Sequence, residues 1–387
     1  MKRKLAHSFE DIISLENLFL AWSEFVVGKK FKPDVLAFSR DLADNIISLH
    51  DDLANRIYHH GKYEAFKIND PKPRDIHKAS VRDRLLHHAI YRILYPFFDR
   101  LFIADSFSCR IGKGTHRAVK RFNQMARSES RNNRRTCWVL KCDIRRFFAS
   151  IDHDVLLGIL GGYILDENIM WLLGEVVGSF ETSRLDSRLR GNDTIICHSE
   201  RSEESVYSTQ KDSSVATLPQ NDRTSVAKIL NQVQNDNSGG VGLPLGNLTS
   251  QLFANVYLNE LDQWMKYNLR VKKYIRYADD FAILSADRDW LEHIILRIAE
   301  FLRSRLKLEL HPDKVYIKTH ASGVDFLGWV NFPTHRVLRR ATRRRMFARV
   351  TENPAAETLQ SYLGLLKHGN AYNIRNEVLR RYGINRT

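Results

Sequence analysis

Tyr274-Ile275-Arg276-Tyr277-Ala278-Asp279-Asp280-Phe281-Ala282-Ile283-Leu284 places two adjacent carboxylates between apolar, β-prone flanks. The stretch reads as a tight hairpin whose turn presents Asp279 and Asp280 together. Two anions at a hairpin tip repel each other and lose hydration, a strain that persists where a cation neutralises it. The plain alternative is a polar turn, since Asp is a common turn former. The rest of the chain decides between the two.

Upstream, Thr136-Cys137-Trp138-Val139-Leu140-Lys141-Cys142-Asp143 reads as a second buried strand ending in a carboxylate, followed by Ile144-Arg145-Arg146-Phe147-Phe148. A strand-end Asp with a hairpin Asp pair is what a site for two divalent ions needs, one activating a 3′-hydroxyl and one clamping a triphosphate. Between these stretches lies Gly242-Leu243-Pro244-Leu245-Gly246-Asn247-Leu248-Thr249-Ser250-Gln251. The three, in this order, resemble the palm of reverse transcriptases, the middle one in a Gly-x-x-x-Ser-Gln variant. The resemblance implies an α+β right-hand polymerase with fingers, a palm of antiparallel sheet backed by helices, and a helical thumb. It implies two magnesium ions held by Asp143, Asp279 and Asp280, with the Ile144 carbonyl as a further ligand. Leu245, Gly246 and Gln251 would meet the template and nucleotide. Phe148, five residues beyond Asp143, would pack on the incoming sugar and exclude a 2′-hydroxyl, with Phe147 or Phe148 left to the core.

Composition agrees. The chain has 387 residues, 43% hydrophobic, enough for a sizeable core. A net charge of +15 and a pI near 9.6 suit a protein that neutralises phosphates. Residues 182–240 hold seven Lys/Arg and eight Asp/Glu, a net −1, which leaves +16 on the remainder. No apolar run approaches a membrane span, and the basic start is followed by an acidic amphipathic stretch with no cleavage site, so a cytoplasmic protein with no membrane partner is expected. The four cysteines include no Cys-x-x-Cys pair; they read as reduced core residues and not a zinc site.

In chain order, 8–28 and 34–49 show helical periodicity, with Pro33 in a first helical turn. Tyr63 to Ile68 and Arg74 to His77 read as a hairpin around Asp70-Pro71-Lys72-Pro73; the resemblance makes Lys67 and Arg74 triphosphate ligands. A helix follows over 82–99, then a glycine-rich basic loop, 106–116, in which Arg110 and Lys113 supply counter-charge to a nucleic acid strand. Asp152 is placed to cap the helix after the Asp143 strand. Helices are expected over 252–266 and 289–306. In the closing palm motif Lys314 would protonate or neutralise leaving pyrophosphate. Phe326, Leu327 and Gly328 resemble the primer grip. Residues 336–350 read as a helix with Arg336, Arg340 and Arg344 in one row facing nucleic acid.

Six regions are expected: an N-terminal helical region, 1–60; fingers, 61–135; first part of the palm, 136–183; an insertion, 184–240; second part of the palm with primer grip, 241–335; and a basic thumb, 336–387. The insertion is polar and repeats x-Asn-Asp at Asn192-Asp193, Asn221-Asp222 and Asn235-Asp236, which resembles a translated bacterial palindromic repeat. The expected function is RNA-templated DNA synthesis from an RNA template, a DNA or RNA primer and deoxynucleoside triphosphates. Leu-Gly-x-x-x-Ser-Gln resembles enzymes of diversity-generating retroelements, whose small accessory protein is a further implied partner, and the residues after 335 leave room for a thumb and no maturase or ribonuclease H domain. Defence-associated, group II intron-like and unclassified bacterial reverse transcriptases are the alternatives within the class. An inactive RNA-binding scaffold is the alternative outside it, and three intact carboxylates speak against that.

Overall fold

The computed structural model describes residues 3–68, 74–182 and 240–381. Its central sheet has four antiparallel strands. Trp138–Asp143 lies inside, paired with Asp280–Ser285 on one side and Tyr316–Thr319 on the other, and Tyr274–Tyr277 lies beyond Asp280–Ser285. Strand alternation splits the apolar residues between two cores. Leu140, Cys142, Tyr274, Phe281 and Ile283 join the main core, which the helices Val81–Asp99, Leu248–Gln263 and Arg288–Leu306 help to build. Val139, Ile275, Tyr277, Ala282 and Leu284 belong to a second core. Helix Thr115–Glu129, a three-stranded sheet (Val324–Phe326, Trp329–Asn331, Arg336–Leu338) and the helices Arg340–Glu352, Ala356–Leu366 and Tyr372–Arg381 fill that second core. A sheet covered on both faces explains strands with no polar-out alternation.

Local rules place most breaks. The first helical stretch is two helices, Phe9–Ile13 and Leu15–Phe25, because Ser14 caps the second by accepting from the Asn17 N–H. The second is also two, Pro33–Arg40 and Leu42–Ala54, divided at Asp41. Glu64–Ile68 and Arg74–Lys78 form the expected hairpin; the Asp70-Pro71-Lys72-Pro73 turn lies outside the described residues. Asp152 caps its helix through the Val155 N–H. Helix Leu248–Gln263 starts four residues earlier than expected, which brings Ser250 and Gln251 into its first turn.

One expectation is corrected. Arg336 is not helical: it pairs with Asn331 as a strand residue, its guanidinium lies over Trp329, and the helix starts only at Arg340. Cys137 and Cys142 are buried free thiols, as expected, and Cys197 lies outside the described residues. No described helix is long and apolar enough to cross a membrane.

The expected insertion, 184–240, lies outside the described residues apart from Gly240. Its flanks meet: the Thr182 N–H donates to the Val241 carbonyl at 2.8 Å. A short Gly-Ser link in place of 184–238 therefore spans adjacent backbone, and loop closure depends on length only logarithmically. The shortened protein is expected to melt within about 4 °C of the full chain; an insoluble product would show that the segment contributes to folding.

Stability should also depend on pH. Burial holds the enclosed His87 well below its ordinary pKa and brings His88 down to about 4, with Lys29 and Arg84 adding repulsion at His88. The unfolded chain takes up these protons near pH ~6.5. It therefore binds more protons than the folded chain below that value, so stability is complete above it and falls as the pH drops through it toward 4. The denaturant midpoint is expected to be lower at pH 5 than at pH 7.5, and equal midpoints would contradict buried neutral imidazoles.

Candidate active site

Asp143 ends the inner strand directly opposite Asp280. The Ala278-Asp279 turn closes over it, with Ala278 at φ +53 in the left-handed conformation that such turns need. The Ile144 N–H donates to the Asp279 carbonyl at 3.2 Å, and the His311 N–H to the Asp143 carbonyl at 2.8 Å. Alternation puts Lys141, Asp143 and Asp280 on the face of the second core.

Two carboxylates have lysine partners. Lys314 Nζ lies 3.2 Å from Asp143 Oδ1, and the buried Lys141 is ion-paired with Asp280 while its ammonium sits 5.4 Å from the Phe326 ring centroid. Burial holds the Lys141 ammonium down at about 8. Asp279 differs: both carboxylate oxygens are buried without a hydrogen-bond partner. Burial, then the charge of Asp143, pushes its pKa up to about 8. A buried carboxylate left orphaned beside another carries a desolvation cost that a divalent cation would relieve. Asp143 and Asp279 therefore fit such an ion. Among the described residues no three His, Cys, Asp or Glu side chains are gathered as a ready metal site.

Beside the turn is a small cavity lined by Ser108, Phe147, Phe148, Gln251, Asn255, Arg276 and Ala278, among others. Both rings line the cavity and both join the main core; Phe147 is 1% exposed and Phe148 8%, so Phe148 is the less enclosed. The Leu243 N–H donates to the Phe148 carbonyl at 2.8 Å, and the His77 N–H to the Leu245 carbonyl at 3.1 Å. The 242–247 loop is thus sewn to both Phe148 and the Arg74–Lys78 strand. Gly246, at φ +105, lies where an added Cβ would stand 3.0 Å from Ile76 Cγ2, so a side chain there would be both strained and crowded. Leu245 packs half-buried against the main core.

The basic candidates divide. Register pairs Lys67 with Asp75 and Ile68 with Arg74, so Lys67 and Arg74 project to opposite faces of their hairpin. Arg74 shares the face of Ile76, which meets Gly246. Arg110, expected to face a nucleic acid strand, binds Asp99 at 2.6 Å with its guanidinium and donates to the carbonyls of Asp99, Ile103 and Ser106. It holds its own loop together. Lys113 likewise donates to the Ala104 carbonyl at 2.8 Å and covers Phe107. Phe326, expected at the primer, is buried and stacked 5.1 Å from Phe122. Leu327 and Gly328, at φ +53 and +83, form the hairpin turn itself. Arg340 and Arg344 are exposed on the first of the last three helices.

Sequence reasoning missed the support beneath the turn. Arg276, fully buried, binds Asp262 through two bonds of 2.8 and 2.7 Å and donates to Asn255 Oδ1 and the Ala278 carbonyl. The available signal was a charge inside an apolar strand, as at Lys141, which requires a partner somewhere in the fold.

The family profile described as "Reverse transcriptase (RNA-dependent DNA polymerase)" matches residues 214–330, a span that contains Leu245–Gln251, Asp279, Asp280 and Lys314. This chain carries a reverse transcriptase domain. Relatives extend the likeness beyond that span. Protein YkfC of Escherichia coli K12 is 21% identical over 78% of this chain and 73% of its own length. The group II intron-encoded protein LtrA of Lactococcus lactis subsp. cremoris is 24% identical over 68% of this chain and 45% of its own. Nuclear intron maturase 1 of Arabidopsis thaliana is 25% identical over 55% and 28%. The chain thus spans less than half of the length of these two intron proteins. It is an enzyme of the RNA-directed DNA polymerase class.

Proposed function

We propose that this chain copies RNA into DNA by two-metal nucleotidyl transfer, with Asp143 and Asp279 as ligands and Asp280 and the Ile144 carbonyl in support. The observation that carries it is the buried Asp279 carboxylate, without a partner, beside Asp143. When bound, magnesium would supply Lewis-acid activation of the primer 3′-hydroxyl and charge neutralisation on the triphosphate. Lys314, beside Asp143, is placed to release toward a leaving pyrophosphate and neutralise it. Phe148 and Gln251 bound the cavity nearest the turn, where they would hold base and sugar and exclude water. Arg74, on the face of the 245–247 loop, is the better placed of the two hairpin cations for the triphosphate.

In this reading the Arg74 hairpin and the 106–116 loop belong to fingers, the four-stranded sheet to the palm, and the last three helices to a thumb whose Arg340 and Arg344 meet backbone phosphate. RNA template, a DNA or RNA primer and deoxynucleoside triphosphates are the partners, with an accessory protein of the retroelement in the narrower reading, and the cytoplasm is the proposed location. Primer extension on RNA is the test. Incorporation should require magnesium, calcium should substitute poorly, and a purified protein that adds no nucleotide under those conditions would sink the proposal.

The narrower reading is the error-prone enzyme of a diversity-generating retroelement, supported by Leu245. Leucine offers no hydrogen bond to report pairing geometry, which removes discrimination on the order of 1–3 kcal/mol. A group II intron-like enzyme is the second reading, favoured by two relatives named for introns. Sequencing cDNA made by wild type and Leu245→Gln separates them. The first reading expects misincorporation opposite template adenines roughly tenfold or more above other bases, and a fall with glutamine. Adenines copied as accurately as other bases would favour the second.

A further inference from the structure

Arg276 alternates to the face of the sheet opposite Asp143 and Asp280, where the Leu248–Gln263 helix covers it. There its guanidinium and the Asp262 carboxylate are both fully enclosed, joined by two bonds, with the Tyr274 hydroxyl donating a third to Asp262 at 2.7 Å. The remaining donor capacity of Arg276 runs to two places that matter to the site. One bond goes to the carbonyl of Ala278, the left-handed residue just before Asp279, at 3.1 Å. Another goes to Asn255 Oδ1 at 3.3 Å, and Asn255 in turn donates to the Ser108 carbonyl at 3.0 Å. The backbone of the same residue is also held: the Arg276 N–H donates to the Asp105 carbonyl, and its carbonyl accepts from Phe107, both at 3.0 Å. One residue, by side chain and backbone, therefore ties the carboxylate turn, the helix and the 105–108 loop together, and with Asn255 it lines the cavity beside Phe148.

We infer that Arg276 and Asp262 are positioning residues that fix the conformation of the Asp279 turn, and that Asn255 transmits the same constraint to the nucleotide cavity. A fully buried ion pair is weak support for stability, since apolar side chains of similar volume often serve the fold as well or better. What an apolar pair cannot supply is a donor to the Ala278 carbonyl. Lysine cannot supply the fork either: a single ammonium does not reproduce the planar geometry that reaches the carboxylate and the carbonyl at once. The turn carries the carboxylates proposed to act on the primer end, and a displacement of about 1 Å at such a centre costs on the order of 100-fold in rate. The inference rests on the proposed polymerase reading for its catalytic part and on the fold alone for its conformational part.

The experiment uses the full chain with Arg276→Lys and the paired replacement Asp262→Leu with Arg276→Met. Three quantities are read: melting temperature, amide hydrogen exchange across 276–282, and kcat and KM for magnesium-dependent primer extension on an RNA template. The paired variant is expected to melt within about 4 °C of wild type, to exchange faster at the turn, and to lose roughly 100-fold in kcat with template affinity unchanged. Arg276→Lys keeps a charge beside Asp262 and should fold even where the paired variant does not. It is expected to show the faster exchange and about tenfold lower kcat. Folded variants with wild-type exchange at the turn and wild-type kcat would overturn the inference and leave the pair a structural one. Should wild type itself make no DNA, the polymerase reading fails, while the exchange measurement still decides whether Arg276 holds the turn.

Discussion

Asp279→Asn is expected to lower magnesium-dependent primer extension by roughly a thousandfold or more and to leave RNA binding intact. The substitution keeps shape and removes charge from the buried carboxylate that has no protein partner, and a metal-bound centre loses several kcal/mol of transition-state stabilisation without it. In the proposed reading, binding would depend instead on phosphate neutralisation by exposed cations such as Arg340 and Arg344. Asp143→Asn should behave alike in catalysis, with the added release of Lys314 from its 3.2 Å contact. The two variants differ in stability without metal. Asp279→Asn relieves an uncompensated buried carboxylate, so its melting temperature is expected to equal or exceed that of wild type. Filter binding, thermal melts and single-nucleotide incorporation on one preparation make the comparison. An Asp279→Asn protein that still extends a primer with magnesium would remove Asp279 from the site.

Phe148→Ala is expected to admit ribonucleotides. Phe148 is the less enclosed of two edge-to-face rings 5.4 Å apart, and removing it opens the cavity where a 2′-hydroxyl would otherwise meet the ring. Ribonucleotide incorporation relative to deoxynucleotide should rise roughly tenfold to a hundredfold. Phe147→Ala makes the comparison, because that ring lines the same cavity but is the more enclosed, and its loss leaves a core void costing about 3–5 kcal/mol. It should lower stability and not sugar choice. Were Phe148→Ala to keep the wild-type preference while Phe147→Ala changed it, the gate would belong to the neighbour.

The catalytic strand and hairpin were legible in the sequence because their signals are local. Apolar runs around Asp143 and around Asp279-Asp280 specify strands, and alternation within them separates the two faces without reference to anything distant. Caps at Asp152 and the N1 proline at Pro33 follow from their own neighbours in the same way. Side-chain partners across the fold had no such signal. Nothing in the glycine-rich loop says that Arg110 would turn to Asp99 and three carbonyls and not outward to phosphate, or that Phe326 would stack on Phe122. Arg336 was read as helical because its charges repeat at helical spacing, yet pairing with Asn331 and a seat over Trp329 keep it in a strand. Sequence alone determined which carboxylates could meet and in what kind of element. Tertiary structure decided which of them has a partner: Lys141 engages Asp280, Lys314 engages Asp143, and Arg276 holds the turn from below, while Asp279 is left with none among the described residues. The reason is desolvation, since a charge buried by folding must find whatever counter-charge the fold brings near, and that choice is made by residues far away in the chain.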